Sequence, residues 1–166
     1  MTTVNFSKLV AVVEKFLDGI QNMKVANILK SKGSANVVTV KPGTLVSEAA
    51  KILSDRKIGT VVVSRDGKAA EGILSERDIV RHIGSRGAVC LSEPVEALMT
   101  SKLVTCSYSD RAESVLSTMT ERRFRHMPVL ENGALVGLIT LGDVVKHRLS
   151  ELAMEKDALE GMIMGH

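Results

Sequence analysis

The sequence predicts an α+β protein. Two β-α-β-β-α units follow one another and pack as a pseudo-two-fold module, with an extra helix at each end. Three observations predict it. The phrase Gly72-Ile73-Leu74-Ser75-Glu76-Arg77-Asp78 recurs as Gly137-Leu138-Ile139-Thr140-Leu141-Gly142-Asp143. Matching positions keep a nearly constant interval: Thr39 to Thr105, Leu53 to Met119 and Gly67 to Gly133 are each 66 apart, while Gly72 to Gly137 and Asp78 to Asp143 are each 65. Within each interval, β-branched runs alternate with helical apolar periods. The one-residue difference falls in a hairpin, where length changes cost little. Each half is too short to bury its sheet alone, so the halves should pack on each other.

Taken in order, residues 5–22 carry Leu9, Val13, Phe16 and Ile20 on one helical face, with Ser7 as a candidate cap. Packing on its own domain is the simpler role for that helix, and partner or membrane binding the alternative. A short helix is expected over Val25–Lys30, ended by Lys32-Gly33-Ser34. Asn36–Val40 reads as a strand, Pro42-Gly43 as a turn, and Thr44 as the cap of a helix over Val46–Arg56. Thr60–Ser64 and Ala70–Ser75 are strands joined through Arg65-Asp66-Gly67, and Glu76–Ile83 is a helix. Gly84–Pro94 connects the halves.

The series then restarts with a short helix at Val95–Met99 and a strand at Leu103–Cys106. Asp110-Arg111-Ala112-Glu113 resembles a capping box before a helix over Ala112–Arg122. Strands follow at His126–Leu130 and Leu135–Ile139, with the final helix from Leu141. Val145, Leu149, Leu152, Leu159 and Ile163 prolong that helix as a heptad-like seam, either a packing or coiled-coil segment or a frayed end. The expected division is 1–23 N-terminal helix, 24–87 first repeat, 88–150 second repeat and 151–166 C-terminal extension.

Composition limits the function classes. Hydrophobic residues make up 45% of the 166, enough for a core and too many for a disordered chain. Aromatics are 2%, which leaves no stacking platform for single-stranded nucleic acid, and a net charge of +3 does not by itself call for a polyanion. Nucleic acid is therefore a disfavoured partner, although Arg122, Arg123 and Arg125 keep it as a rival. Cys90 and Cys106 are too few for a disulfide scaffold and fit a reducing compartment. No apolar run suits a bilayer, and Glu14 and Asp18 interrupt any signal-like segment, so a soluble cytoplasmic protein without membrane contact is expected. The four histidines, His82, His126, His147 and His166, lack metal-ligand spacing. Gly84-Ser85-Arg86-Gly87 lacks the Lys-Ser/Thr of a phosphate loop, and no nucleophile elbow or dinucleotide fingerprint occurs. The expectation is a non-enzyme with no metal and no catalytic cofactor.

The pairs Ser75/Asp78 and Thr140/Asp143 admit two compatible readings. Hydroxyl-x-x-acid at a helix start is a capping box. It also sets an acceptor-only carboxylate, suited to a ribose diol, beside a helix end that favours anions.

Two such repeats, each ending Gly-apolar-apolar-Ser/Thr-x-x-Asp, resemble the CBS domain pair, or Bateman module. Arg125-His126-Met127-Pro128-Val129 is similar to that family's proline-valine strand, and Ile73–Arg81 with Arg123–Val129 looks like its stand-alone bacterial subgroup. The resemblance covers about residues 24–150. It implies clefts between the repeats that bind adenosine compounds (AMP, ADP, ATP, S-adenosylmethionine or NADH-type dinucleotides), a homodimer, and regulation of an unidentified partner protein. It further implies that Asp78 and Asp143 take the ribose of separate ligands, with Ser75 and Thr140 near phosphate or ribose. Basic residues before the proline-valine strand would contact phosphate, which carries onto Arg125 and His126, and onto Arg123. Their register equivalents are Gly59 and Thr60, with Lys57 just before. Adenine would meet Thr39-Val40 and Thr105-Cys106, so Cys106 would line a pocket. Arg77, Met127 and Pro128 complete the candidate set. With Arg125 and His126 in one half only, Thr140 and Asp143 are expected to form the stronger site, and Ser75 and Asp78 a weaker or differently selective one.

Overall fold

The computed structural model describes residues 23–33 and 37–164; the helix expected over residues 5–22 lies outside them. The first half contains α1 (Val25–Ser31), β1 (Thr39–Val40), α2 (Val46–Arg56), β2 (Thr60–Val63), β3 (Gly72–Ser75) and α3 (Glu76–Arg86). Short 3-10 turns cover Ala88–Ser92 and Val95–Ala97. The second half contains α4 (Ala112–Glu121), β4 (His126–Glu131), β5 (Ala134–Thr140) and α5 (Leu141–Ile163).

The sequence repeat is a structural repeat. In the first half β1 pairs parallel to β2, which pairs antiparallel to β3; in the second, β4 and β5 form the antiparallel pair. Val40 pairs with Val63 as Cys106 does with Val129, and Thr60 pairs with Ser75 as His126 does with Thr140. The strand expected over Leu103–Cys106 is reduced to that single Cys106 bridge. Both backbone groups of Thr100 are tied to Ile73, at 2.8 and 3.0 Å, so the chain reaches β4 only at Cys106.

Each half is completed by a segment from beside the other. Cys90, Val95 and Leu98, at the start of the second repeat, sit in the core with Val46, Val61 and Leu74 of the first. Met23, Val25, Ile28 and Leu29, where the first repeat begins, sit in the core with Met119, Met127 and Ile139 of the second. Burying each of these large apolar side chains contributes roughly 1.5–3 kcal/mol, so the exchange holds the halves together.

The exchange also corrects three local expectations. Thr44 does not cap α2: Leu45 holds the cap position, and the Val46 N–H donates to the Glu93 carbonyl at 2.9 Å. Asp110 does not cap α4, because its carboxylate accepts the Ser107 N–H while the Ala112 N–H donates to the Met23 carbonyl, both at 2.8 Å. Val95–Met99 is not an α-helix. Its start is drawn out into a backbone pair with Thr44, at 2.8 Å, leaving only a 3-10 turn.

The two repeated glycines follow from the same packing. A β-carbon on Gly72 would come within 2.3 Å of Met99 Sδ, and one on Gly137 within 2.8 Å of Leu29 Cδ1. Both strands are crossed closely by an exchanged segment. At the other end, α5 runs unbroken to Ile163. Val145, Leu149, Leu152 and Ile163 are exposed along it, and Leu159 is half-buried. Among the described residues no helix is long and apolar enough to cross a membrane.

Candidate functional site

Two kinds of corner build the site. At each strand-to-helix corner the hydroxyl residue is extended, and both halves of a capping box form. Ser75 Oγ accepts the Asp78 N–H at 3.2 Å, and Asp78 Oδ2 accepts the Ser75 N–H at 3.0 Å. Thr140 Oγ1 accepts the Asp143 N–H at 3.1 Å, and Asp143 Oδ2 accepts the Thr140 N–H at 2.9 Å. One oxygen of each carboxylate is thus spent on the cap.

At each helix-to-strand corner a basic residue takes the left-handed conformation. Lys57 has φ 52° and Arg123 has φ 58°, where glycine is the usual occupant. The following N–H reaches back to close the helix: Ile58 to the Leu53 carbonyl at 3.0 Å and Phe124 to Met119 at 3.1 Å. Such a conformation costs a non-glycine residue about 1–2 kcal/mol and concentrates at functional sites. The two corners of a half are joined by backbone bonds, Glu76 N–H to the Gly59 carbonyl and Leu141 N–H to the Arg125 carbonyl, at 3.0 and 2.9 Å.

Two cavities lie between the halves. Cavity 1, about 270 Å³, is lined on one side by Gly59, Thr60, Ser75, Glu76, Arg77, Asp78 and Arg81, and on the other by Lys102, Leu103, Val104 and Arg122–His126. Five arginines and a lysine there face two carboxylates. Cavity 2, about 370 Å³, is lined by Lys57–Thr60 with Val37 and Val38 on one side, and by His126, Leu138 and Thr140 on the other, with Leu29 and Lys32. Gly59, Thr60 and His126 line both.

This crossing corrects the expected pairing. Arg123 and Arg125 line the cavity of Ser75 and Asp78, while Thr140 shares its cavity with Lys57. Asp143 lines neither. Its Oδ2 holds the Lys32 ammonium at 2.8 Å. Burial raises the Asp143 pKa, but Lys32 and the Thr140 contacts outweigh it and hold the carboxyl below its ordinary range. Asp78 keeps Oδ1 toward Arg81, at a longer 3.4 Å.

His126 sits where the cavities meet. A β-carbon on Gly59 would lie 3.3 Å from His126 Nε2 and 3.6 Å from Glu76 Oε1, so Gly59 makes room for the ring. Burial pushes the His126 pKa down; Glu76 and Asp143 pull it back up, while Lys32 and Arg125 add to the fall.

Besides Asp143, six candidates line neither cavity: Thr39, Val40, Thr105, Cys106, Met127 and Pro128. Val40, Cys106 and Met127 are core residues instead. The residues that lead into these positions do line the cavities, Val37-Val38 in cavity 2 and Leu103-Val104 in cavity 1, before the chain runs on into the core. Burial, and then Asp110, push the Cys106 thiol up to about 12, which leaves it protonated and unsuited to redox sensing. Sequence reasoning missed Lys32, Glu76, Arg81 and Lys102. Only Arg81 carried a signal, one helical turn beyond Arg77. Among the described residues no cluster of His, Cys, Asp and Glu could hold a metal ion.

Residues 26–85 and 95–150 match the family model described as the CBS domain. A solved CBS-domain-containing protein from Agrobacterium tumefaciens is 41% identical, covers 76% of this chain and 99% of its own, and superposes with a TM-score of 0.72. The mitochondrial CBS-domain-containing protein CBSX3 of Arabidopsis thaliana is 29% identical over 154 residues, 89% of this chain and 75% of that protein. The CBS domain pair of protein MJ0100, solved in complex with 5′-methylthioadenosine and S-adenosyl-L-methionine, shares the fold with a TM-score of 0.68 at 22% identity, over 78% of this chain and 98% of that one.

Proposed function

This chain belongs to the CBS-domain family and carries a pair of CBS domains, and from that premise we propose that it is a non-enzymatic regulatory module that binds an adenine mononucleotide, AMP or a close relative, in cavity 1. One observation carries the reading: Asp78 faces Arg122, Arg123 and Arg125 across a single cavity that also offers Ile73, Leu103 and Val104 as an apolar wall. The remaining carboxylate oxygen is an acceptor for a ribose diol, guanidinium groups suit phosphate through paired donors, and the apolar wall suits a purine. The adenosine compounds bound by MJ0100 support the ligand class. A volume of about 270 Å³ lies just below the range of ligand pockets, roughly 300–1,000 Å³, and favours a mononucleotide over a dinucleotide such as NADH.

A ligand here touches both halves and favours the arrangement in which they close on it. It shifts the protein only by its differential affinity for that arrangement. The readout is a homodimer or partner surface. Exposed Val80 and Ile83 on α3, the helix that begins beside Asp78, and Val145 and Leu149 on α5 supply apolar area for it. Titration calorimetry with AMP, ADP, ATP, NADH and S-adenosylmethionine tests the proposal, which fails if none binds below millimolar concentration.

The exposed Leu149, Met154, Met162 and Ile163 of α5 favour a second reading, an interaction scaffold that works without ligand. Removing residues 151–166 separates the two. Loss of partner or dimer contacts with no ligand binding in the intact chain supports the scaffold.

A further inference from the structure

Cavity 1 holds more positive charge than one phosphate neutralises. Arg77, Arg81, Lys102, Arg122, Arg123 and Arg125 line it against two carboxylates, Glu76 and Asp78, which leaves four cations over. A phosphomonoester such as AMP brings about two negative charges. Neither carboxylate is placed to collect a metal ion. Asp78 Oδ2 accepts the Ser75 N–H at 3.0 Å and the Ser75 hydroxyl at 2.6 Å, and Asp78 Oδ1 lies 3.4 Å from the Arg81 guanidinium. Glu76 Oε1 stands beside His126: a β-carbon on Gly59 would lie 3.6 Å from the one and 3.3 Å from the ring's Nε2. Magnesium in a nucleotide site is normally held by one or two carboxylates together with the phosphates. Here the ion would meet a carboxylate already engaged on both oxygens, another beside His126, and six cations at close quarters.

We propose that cavity 1 takes its phosphate ligand stripped of magnesium, so that chelation decides the order of its ligands. The inference rests on cavity 1 being the nucleotide site. Free ATP carries more negative charge than AMP, and Arg77, Arg81 and Lys102 are exposed, so phosphates beyond the first can reach them. Without a divalent ion ATP is therefore the tighter ligand. Magnesium is held strongly by the adjoining phosphates of ATP and weakly by the single phosphate of AMP. Chelated ATP has lost the charge that the arginines select and carries a dication that they repel. With magnesium in excess the order reverses, and the cavity reads AMP against a background of ATP by the metal rather than by shape.

Titration calorimetry of the full chain with AMP, ATP and inorganic tripolyphosphate tests this, each in EDTA and in excess magnesium chloride at matched ionic strength. In EDTA, ATP should bind more tightly than AMP. Magnesium should weaken ATP about tenfold or more and leave AMP within about twofold, so that AMP becomes the tighter ligand. Tripolyphosphate has no nucleoside and should follow ATP. Arg122→Gln combined with Arg125→Gln should weaken tripolyphosphate in EDTA about tenfold or more, which locates it in cavity 1. Glu76→Gln should keep the magnesium response of the native protein.

Four results overturn the inference: ATP or tripolyphosphate affinity that magnesium leaves unchanged or raises, AMP tighter than ATP in EDTA, no tripolyphosphate binding in EDTA, or tripolyphosphate binding that ignores the two arginine substitutions. A magnesium response lost in Glu76→Gln also overturns it, by placing the ion on that carboxylate. Failure of the nucleotide reading is distinguishable. It appears as no binding of AMP or ATP in EDTA, while tripolyphosphate still binds and its response to magnesium still decides whether the cavity excludes the metal.

Discussion

Met99 lies against Gly72 so closely that a β-carbon there would come within 2.3 Å of its Sδ. The glycine that opens the repeated phrase is thus a packing residue, kept small by the segment that enters from the other half. Gly72→Ala should destabilise the protein by about 1–3 kcal/mol, the usual cost of overpacking. The same change in a Met99→Ala background should cost less, with a coupling on the order of 0.5–3 kcal/mol. Urea unfolding of the four proteins in the cycle measures it. Strict additivity would mean that Met99 does not impose the glycine.

Arg123 holds a left-handed conformation in the wall of cavity 1, which sets stability against binding. Arg123→Gly relieves about 1–2 kcal/mol of backbone strain and gives back roughly 0.5–1 in unfolded-chain entropy. The variant should melt at the same temperature or a few degrees higher, yet bind AMP more weakly. Calorimetric melting beside a binding titration checks both; a fall in melting temperature would show that Arg123 is there for the fold.

His126 makes stability depend on pH. Its folded pKa is depressed, mainly by burial, below the ordinary 6.5. As pH falls, the unfolded chain takes up this proton before the folded one does, so stability declines from about 6.5 downward and levels off once the folded ring titrates too. Asp143, also depressed, contributes stability that is present above 3.8 and lost only as pH falls further, a separate window. Urea midpoints between about pH 7.5 and 5.5 should fall in the native protein and fall less in His126→Gln. Equal slopes would remove His126 from the account.

The repeat, its register and nearly every element were legible in the sequence, because strand alternation, helical periods and turn glycines are local signals. Thr60–Val63 and Val46–Arg56 follow directly from such patterns. The exchange of Val25–Leu29 and Val95–Leu98 between the halves was not legible, since those residues show only that they are apolar and not whose core they enter. The same long-range geometry decided the site. Sequence placed Arg125 with Asp143 because both belong to the second repeat, but the cavities take one corner from each half. Lys32 carried no signal, because its role comes from a neighbour 111 residues away.

The most direct measurement is the AMP affinity of Asp78→Ala beside that of Asp143→Ala. Each substitution removes one half of an equivalent capping box, at about 1 kcal/mol of stability, so each controls for the other. Titration calorimetry should show Asp78→Ala weakening AMP binding about tenfold or more, as loss of a hydrogen bond to a charged group implies, while Asp143→Ala stays within about twofold of the native protein. The reverse order would place the nucleotide in cavity 2 and contradict the account.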